Sequence, residues 1–533
     1  MKQEKTKIGL PILMAIMVII GMFLGFKMKE SMPNNKFFSS NNSNNSMVQQ
    51  VIDIIKKNYI DTLSMDSLEY FAINELVSKL DPHSEFLPAS LFKHSMENLS
   101  GSFAGIGVEY KVISDTVVFS YIDKDGPSFK AGLQIGDKLL SADGKNMTGD
   151  SISNDKIKNA IRGELNSTVE LTILRNEKPQ KFKVTRGNIH SKSVAASYMM
   201  DQKTGFIKLN IFSENAYKEF MQSLEALQKQ GMQELIFDLR GNGGGYLEKA
   251  VDIADEFLDG DKLIVYTEGA HQKKKEYRCK RPGLFEKGKL VVLVDELSAS
   301  ASEILCGALQ DWDRATIIGR RTFGKGLVQV NYQLSDGSAL KLTTAKYYTP
   351  LGRSIQKPFD STKASYIHEV LQRYYDGGVH QPDSATLHSG KVFTTPKGKK
   401  LYQNIGGIMP DFIVTIDTTP LSKPIQKLFY KGSLHDYVFQ YYIQHASQIE
   451  SLKSTVQLSS DKLLTHQLYQ GLNNWASKDT ISLNGISVKE KSFLDNRMLS
   501  YLARYKWRDQ GYFEIYNQQD KTVLKAIEYL KTQ

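Results

Sequence analysis

The chain has 533 residues, of which 41% are hydrophobic and 24% charged, so it can build several folded cores and is not a disordered polymer. Its two cysteines, Cys279 and Cys306, exclude a disulfide framework and a Cys-x-x-Cys metal site. The net charge of +10 is mild for this length, and no nucleic-acid-binding motif surrounds the densest basic cluster, Lys273–Lys275. We therefore expect no metal, no cofactor and no nucleic-acid partner.

An uncharged segment near the N-terminus, Ile8–Phe26, covers 19 residues. As a helix rising about 1.5 Å per residue it would span roughly 28 Å, close to the hydrocarbon core of a bilayer. Lysines within residues 1–7 favour a cytoplasmic N-terminus. A cleaved signal peptide is the alternative, but it has a shorter apolar run and an A-x-A site. We expect a single-pass anchor in the inner (cytoplasmic) membrane, with the rest of the chain extracytoplasmic, or periplasmic in a Gram-negative cell.

Residues 27–46 are rich in Asn and Ser and predict a flexible linker. Residues 47–98 follow with helical periodicity and form an N-terminal helical region. The second helical run stops at Asp81–Ser84, because the residue before a proline disfavours helix. His83 lies beside that proline and is interpreted as structural.

Residues 99–187 alternate short strands with glycine turns and contain one helical pattern. A tight turn, Gly105-Ile106-Gly107-Val108, precedes a strand, and Gly126–Asp137 carries the pattern P-x-x-x-A-G-L-x-x-G-D. This order resembles a PDZ domain. Such a domain adds an extended peptide to a sheet edge and holds its terminal carboxylate with loop amides, here those of residues 105–108.

Residues 188–417 repeat strand and helix patterns, which is typical of an α/β core. The apolar strand Glu234–Leu239 leads into a glycine loop, Arg240–Gly245. The loop lacks Gly-Lys-Ser/Thr and a G-x-G-x-x-G register, so it is a poor nucleotide site. Bare amides such as those of Gly243 and Gly244 suit an oxyanion hole instead.

Three serines, Ser298, Ser300 and Ser302, lie between a buried-strand pattern and a helical pattern. Such a turn exposes a side chain at a helix N-terminus, where free amides and the helix dipole favour a developing anion. A nucleophilic serine fits this position, and so does an ordinary helix N-cap.

Lys325 lies between Gly324 and Gly326, just before the alternating strand Val328–Leu334. Two flanking glycines indicate a tight turn that directs the lysine into a site, which a surface lysine does not need.

Together these motifs resemble the C-terminal processing (tail-specific) serine peptidases. The resemblance runs from about residue 47 to 415, with the PDZ unit inserted where that family has it. The matching segments are Asp81–Ser84, Asp238–Gly244, Ser300–Glu303, Gly324–Gln329, Leu340–Pro350 and Gly406–Asp411.

The family implies a multidomain α/β fold with a crotonase-like ββα protease core and a Ser–Lys dyad. Its lysine lies 25 residues after the serine, and 325 − 300 = 25 selects Ser300 here. The resemblance also implies an oxyanion hole from the amide of Ala301 and one from the glycine loop, either Gly243 or Gly244. Gln329 is expected to orient Lys325 by a hydrogen bond.

A lysine can serve as a base only when its charge is removed. At the reference pKa of about 10.4, neutralising it at pH 7 costs roughly 4.6 kcal/mol. Burial lowers this pKa, and the neighbours Phe323, Leu327 and Val328 suit a desolvated pocket. A Ser–His–Asp triad is disfavoured, because no motif pairs this serine with a histidine such as His83, His190 or His271.

Residues 418–533 show helical periodicity and predict a helical C-terminal domain, which is a candidate homo-oligomerisation element. Residues 361–405 are interpreted as an insertion or as surface loops. No motif assigns either region a function.

The sequence favours a membrane-anchored endopeptidase whose substrates are proteins or peptides with free C-termini. A non-catalytic PDZ scaffold is one alternative, but it would have no reason to keep a complete Ser–Lys pair in register. A crotonase-type acyl-CoA enzyme is another, but its substrates are cytosolic. The physiological substrates, and whether the PDZ unit activates or blocks the core, stay open.

Overall fold

The structure is a computed structural model. It describes residues 14–23, 27, 47–113, 115–150, 152–359, 362–375, 390–403, 406–416 and 421–532.

The chain divides into two compact units, residues 1–73 and residues 74–533. In the first unit, residues 14–23 are helical, and a helix at Met47–Asn58 is followed by the start of another at Met65–Ser78. The predicted anchor, residues 8–26, lies partly outside the described residues. Among the described residues, no helix combines the length and the apolarity needed to cross a membrane.

The second unit is built around a six-stranded sheet. Its first pair is antiparallel and the other neighbours are parallel. In spatial order the strands are Val194–Met199, Thr204–Leu209, Glu234–Asp238, Lys289–Val294, Thr316–Gly319 and Phe412–Ile413. Strands Glu234–Asp238 and Thr204–Leu209 are fully buried, as central parallel strands are when both faces are covered.

Helices cover both faces of this sheet. One face packs against three helices, Ala216–Lys229, Leu247–Asp255 and Ala301–Asp311, in the largest apolar cluster of the described chain. The other face packs against Val523, Ala526 and Leu530. The last helix, Lys521–Thr532, therefore completes the core, although its sequence was assigned to the C-terminal domain.

A second sheet lies at the end of the core that carries Lys325. The long strand Ala339–Tyr348 pairs with Leu327–Gln333 along one edge. Along its other edge it pairs with Glu85–Leu87 and with Leu263–Gly269, which in turn pairs with Gln272–Arg278. The sheet thus places Gln329 next to the segment that follows Asp81.

The PDZ unit forms its own antiparallel sheet over a separate apolar core. The strands are Val108–Ile113, Thr116–Ile122, Lys138–Ala142, Lys145–Asn146, Thr168–Arg175 and Lys178–Thr185, and the helices are Pro127–Lys130 and Asn154–Ile161. Val108–Ile113 is an edge strand of this sheet. The pair Ser102–Gly105 and Gly187–His190 closes the unit at its base.

Helices form the C-terminal region, as predicted. They are Lys423–Tyr430, Ser433–Gln444, Ala446–Ser451, Thr455–Ser460, Lys462–Lys478 and Val488–Tyr516. The PDZ residues Val118, Ile113 and Ile135 belong to the same apolar cluster as these helices. The C-terminal region is therefore packed against the PDZ unit.

Residues 361–405 are interpreted from the sequence as an insertion or as surface loops, and the described part is not all loop. The described part contains a helix, Lys363–Tyr375, and a hairpin, Lys391–Thr394 with Lys400–Gln403. In the helix Lys363–Tyr375, Tyr366 and Arg373 are buried because they pack onto the Lys325 loop. The local sequence does not predict this contact.

A further helix, Ala89–Ser100, precedes the PDZ unit.

Candidate active site

Ser300 is the N-cap of the buried helix Ala301–Asp311 and lies at the sharp turn that follows the strand Lys289–Val294. Its backbone is in an unusual conformation, φ 56° and ψ −113°. Positive φ is costly for a non-glycine residue and is found where the surroundings enforce it, often at functional sites. The turn leaves the Ser300 side chain partly exposed at a helix N-terminus.

The other two serines of this segment are buried and structural. Ser298 Oγ donates to the carbonyl of Leu239 at 2.9 Å, and Ser302 Oγ donates to the carbonyl of Asn242 at 2.9 Å. Both tie the turn to the glycine loop. Ser300 itself occupies the N-cap position, so the candidate nucleophile and the N-cap of this helix are the same residue.

The glycine loop lies directly against Ser300. A Cβ placed on Gly244 would be 2.9 Å from Ser300 Cβ and 3.0 Å from the amide nitrogen of Ala301, and φ at Gly244 is 104°. Only glycine fits there. The amide of Gly244 donates to Asn242 Oδ1 at 2.9 Å, while the amide of Ala301 opens the helix and has no partner in a preceding turn.

The buried carboxylate of Glu303 joins the Ser300 turn to the Lys325 loop. Its Oε2 accepts the amide hydrogens of Ser300 at 2.9 Å and of Lys325 at 2.8 Å, so one oxygen holds both backbones. Its Oε1 accepts from the amide of Gly324 at 2.7 Å and from Thr322 Oγ1 at 2.5 Å. Burial raises the pKa of Glu303 to about 7, and these four donors oppose the rise.

The hydroxyl of Tyr347 forms a second bridge. It donates to the carbonyl of Ser300 at 3.1 Å and also contacts the carbonyl of Lys325. Tyr347 is fully buried at the end of the strand Ala339–Tyr348. The backbones of the two predicted catalytic residues are therefore fixed to each other from two sides.

Lys325 is half-buried, and its Nζ donates to Gln329 Oε1 at 2.6 Å, as expected. Burial, together with the positive charge of Lys341, lowers the pKa of Lys325 to about 8. At pH 7 this reduces the cost of neutralising the lysine from roughly 4.6 to roughly 1.4 kcal/mol. In the described part of the chain, Nζ bonds to Gln329 and not to Ser300 Oγ. A hydrogen bond between a base and its nucleophile often forms or shortens only when substrate is bound.

His83 contributes to the site through its backbone. Its carbonyl accepts a hydrogen bond from Gln329 Nε2 at 2.5 Å. Asp81 fixes the turn, because its Oδ1 accepts from the amides of His83 at 2.8 Å and Ser84 at 2.9 Å. Burial, and then the charge of Lys325, lower the pKa of His83 to about 3, so its ring is neutral in the range where a histidine base would titrate.

The predicted peptide-binding residues of the PDZ unit form a loop that leads into its edge strand. Gly105 ends the strand Ser102–Gly105, Ile106 is buried in the PDZ core, and Val108 begins the strand Val108–Ile113. The carbonyls of Ile106 and Gly107 accept hydrogen bonds from Ser128 and Asp123. The loop is thereby held at one end of an edge strand of the PDZ sheet.

Sequence reasoning missed the residues that hold the site together. Glu303 and Tyr347 each lie in a matched segment, Ser300–Glu303 and Leu340–Pro350, but the sequence assigned neither of them a role. Tyr366 and Arg373 lie in the segment interpreted as an insertion or as surface loops. Only the spacing of Glu303, on the first turn of the serine's helix, was a usable signal, since an acid at this position commonly bonds to the N-cap amide.

Comparison with known proteins agrees with these motifs. A family model for "Peptidase family S41" matches residues 203–361, and one for "PDZ domain" matches residues 104–185. A "Probable CtpA-like serine protease" from Staphylococcus epidermidis is 33% identical over 397 residues, which are 74% of this chain and 78% of that protein. A protein of the same description from Staphylococcus aureus is 34% identical over 316 residues, 59% of this chain and 63% of that protein.

Two solved structures are also similar. The photosystem II D1 C-terminal processing protease is 30% identical with a TM-score of 0.33, covering 59% of this chain and 90% of that one. A PDZ domain of a carboxy-terminal protease from Vibrio cholerae is 22% identical with a TM-score of 0.16, covering 17% of this chain and 98% of that one.

The relative from S. epidermidis is matched over most of its length, and the S41 match includes Ser300, Lys325 and the glycine loop. The predicted family is thus confirmed: this chain belongs to peptidase family S41 and is a serine peptidase of the C-terminal processing type with a PDZ domain.

Proposed function

We propose that this peptidase hydrolyses peptide bonds with a Ser300–Lys325 dyad. The observation that carries the proposal is the shared hydrogen bonding of Glu303 Oε2, which holds the amides of both residues within 2.9 Å of one oxygen. Gln329 holds Lys325 Nζ in a partly desolvated position, where a lysine can be neutral near pH 8.

In the proposed reaction, neutral Lys325 Nζ takes the proton of Ser300 Oγ as the oxygen attacks the scissile carbonyl carbon. The tetrahedral intermediate collapses when its C–N bond breaks, and the lysine returns the proton to the leaving amine. Water then attacks the acyl-enzyme while Lys325 accepts a proton from it. When the bond between the acyl carbon and Ser300 Oγ breaks, Lys325 returns that proton to Oγ, and the carboxylic acid product leaves and ionises in solution.

The negative oxygen of the intermediate needs two donors. We assign them to the amides of Ala301 and Gly243. This choice is supported by the helix-opening position of Ala301 and by the bond between the Gly244 amide and Asn242, which occupies the alternative donor. Gly244 then serves as the small residue that lets the loop approach Ser300. The wider assignment of a crotonase-like core is supported by its parallel strand–helix order.

The test uses the purified full chain and fluorescein-labelled casein as an unfolded substrate. Ser300→Ala and Lys325→Ala should each reduce cleavage by at least about a thousandfold, the scale seen when members of a nucleophile–base pair are removed. Lys346→Ala, which removes an exposed lysine from the neighbouring strand, should leave cleavage unchanged. Full activity of Ser300→Ala or Lys325→Ala would refute the dyad.

We further propose that the PDZ unit binds free C-termini of substrates. Support comes from the edge position of the strand Val108–Ile113 and from the loop of residues 105–108 at its start. A peptide strand added to this edge would direct its carboxylate at the loop amides. Fluorescence anisotropy should show binding of a peptide with a free C-terminal carboxylate and at least tenfold weaker binding of the same peptide amidated; equal binding would refute tail recognition.

Membrane anchoring and an extracytoplasmic active site belong to the same proposal. They are supported by the 19 uncharged residues at Ile8–Phe26 and by the lysines before them. The full chain should resist extraction from membranes by alkaline carbonate, and a variant lacking residues 1–26 should be released. Homo-oligomerisation through the C-terminal region stays a prediction, to be measured by light scattering in detergent.

A further inference from the structure

A closed ring of hydrogen bonds connects Lys325 to the helix Lys363–Tyr375 and returns to the residue after Lys325. The helix lies outside every motif of the sequence. The ring members come from four segments of the chain: His83, the stretch Lys325–Gln329, Gln356, and Tyr366 on the helix.

The first half of the ring runs from the lysine to His83. Lys325 Nζ donates to Gln329 Oε1 at 2.6 Å, and Gln329 Nε2 donates to the carbonyl of His83 at 2.5 Å. An amide side chain with both ends bonded has one fixed orientation. The direction in which Gln329 presents its oxygen to the lysine therefore depends on the placement of His83.

The second half runs from His83 back to the lysine loop. The Tyr366 hydroxyl lies 3.0 Å from His83 Nε2 and accepts a hydrogen bond from Gln356 Nε2 at 2.9 Å. Gln356 Oε1 accepts from the amide of Gly326 at 2.9 Å. Tyr366 is thus the link between the turn that holds Gln329 and the backbone that carries Lys325.

The hydroxyl of Tyr366 has three polar partners. It accepts from Gln356 Nε2, and it lies 3.0 Å from His83 Nε2 and 3.5 Å from the carbonyl of Gly324. The His83 ring is neutral, because its burial and the nearby Lys325 lower its pKa to about 3, so Nε2 bonds to the hydroxyl as donor or as acceptor according to its tautomer. The two rings also meet edge to face, with centroids 5.1 Å apart.

The helix that carries Tyr366 is itself fastened to the lysine loop. The guanidinium of Arg373 donates to the carbonyls of Thr322 and Phe323, each at 3.0 Å, just before Gly324. Glu369 accepts from Arg373 at 2.6 Å and from Lys357 at 2.9 Å. These contacts tie the helix that carries Tyr366 to the backbone just before Lys325.

We propose that Tyr366 is a positioning residue of this peptidase, which acts through His83 and Gln329 to hold the Nζ of the base Lys325 in its buried site. The role rests on the proposed Ser300–Lys325 dyad. In the described part of the chain, the Tyr366 hydroxyl bonds to His83, Gln356 and the carbonyl of Gly324 and not to Ser300 Oγ or Lys325 Nζ, so its role is positioning.

The test is the substitution Tyr366→Phe in the full chain, which removes only the hydroxyl. Tyr332→Phe is the matched control, because it removes an exposed hydroxyl from the strand that carries Gln329. Competitive labelling with fluorodinitrobenzene, read by mass spectrometry of the Lys325 peptide, measures the lysine pKa whether or not the enzyme is active. Casein cleavage gives kcat and KM, and thermal unfolding checks the fold.

Tyr366→Phe should raise the pKa of Lys325 from about 8 toward its ordinary value, because a released side chain regains water. It should lower kcat at least tenfold with KM within twofold. Gln356→Met, which opens the ring at the next link, should do the same, and Tyr332→Phe should do neither. In a Gln329→Ala background, Tyr366→Phe should cause no further pKa change, because the path is already broken.

An unchanged Lys325 pKa in Tyr366→Phe, or an equal shift with and without Gln329, would overturn the positioning role. Cleavage by Lys325→Ala would instead overturn the dyad itself. The two failures are distinguishable, since the labelling experiment reports on the position of Lys325 independently of catalysis.

Discussion

At the scale of single residues, the site depends on two backbone positions that most side chains cannot adopt. Ser300 has a φ of 56° and Gly244 a φ of 104°, and the two lie in contact. A strained residue persists only when its surroundings determine it, and here the carboxylate of Glu303 holds the Ser300 amide at 2.9 Å. The strain turns the serine side chain out of the protein while its neighbours stay buried.

Gly244→Ala should abolish most activity without unfolding the protein. The new methyl group would meet Ser300 Cβ at 2.9 Å and the Ala301 amide at 3.0 Å, so the turn must shift. Displacing a nucleophile by about 1 Å can cost roughly a hundredfold in rate. Casein cleavage measures the loss. Gly241→Ala is the control, since it also has a positive φ but no atom within 4 Å of the added carbon; comparable losses in both would contradict the steric account.

At the scale of elements, the last helix is part of the peptidase core. Val523, Ala526 and Leu530 follow a helical repeat and cover the second face of the central sheet. Just before this helix, Asp520 accepts two hydrogen bonds from Arg240, the residue that opens the glycine loop. The end of the chain therefore supports both the sheet and the loop beside Ser300.

Leu530→Ala should destabilise the peptidase core by about 2–5 kcal/mol, the usual cost of truncating a buried leucine. Leu530 is 1% exposed against the sheet, whereas Leu524 on the same helix is 45% exposed. Leu524→Ala is therefore the matched control and should change stability little. Chemical denaturation followed by tryptophan fluorescence measures the free energy of unfolding of both variants. Equal unfolding midpoints for Leu530→Ala and Leu524→Ala would show that the helix does not support the sheet.

Sequence patterns predicted the elements but not the contacts between distant ones. The buried-strand pattern before the three serines is the strand Lys289–Val294, and the repeated strand and helix patterns of residues 188–417 form most of the central sheet and its helices. The contact of His83 with Tyr366 joins positions 283 residues apart, and no local periodicity encodes such a pairing. The helix Lys363–Tyr375 was not predicted for the same reason. The residues it is seen to bury, Tyr366 and Arg373, are not an apolar helical repeat and are buried by contacts with distant parts of the chain.

At the scale of the whole second unit, the C-terminal helices hold the PDZ unit by its edge strand. Glu109 faces Arg504 and Arg508, Lys111 donates to the carbonyl of His435, and Ile113 packs into the helical cluster. Alternate residues of one strand share a face, so these three residues place one face of the strand against the C-terminal helices. The strand proposed to accept peptide tails is thus braced from the side of the C-terminal region.

Glu109→Gln should loosen this contact. The substitution leaves Arg504 and Arg508 without the carboxylate that they share. Arg508 still stacks on Tyr121, with its Cζ 3.4 Å from the centre of the ring. Hydrogen exchange should become faster in Val108–Ile113 and around Arg508, and stay unchanged in the strands Thr168–Arg175 and Lys178–Thr185. Glu170→Gln, which breaks an exposed pair with Lys181 inside the PDZ unit, is the control. Unchanged exchange at Val108–Ile113 would show that the pair does not hold the interface.

The central claim is that Ser300 is a nucleophile activated by a neutral Lys325. The most direct measurement is the pH dependence of labelling by a fluorophosphonate probe, with the modified residue mapped by mass spectrometry. The label should map to Ser300, its rate should rise through about pH 8 as Lys325 loses its proton, and it should be lost in Lys325→Ala. A label on another residue, or an undiminished rate in Lys325→Ala, would contradict the account.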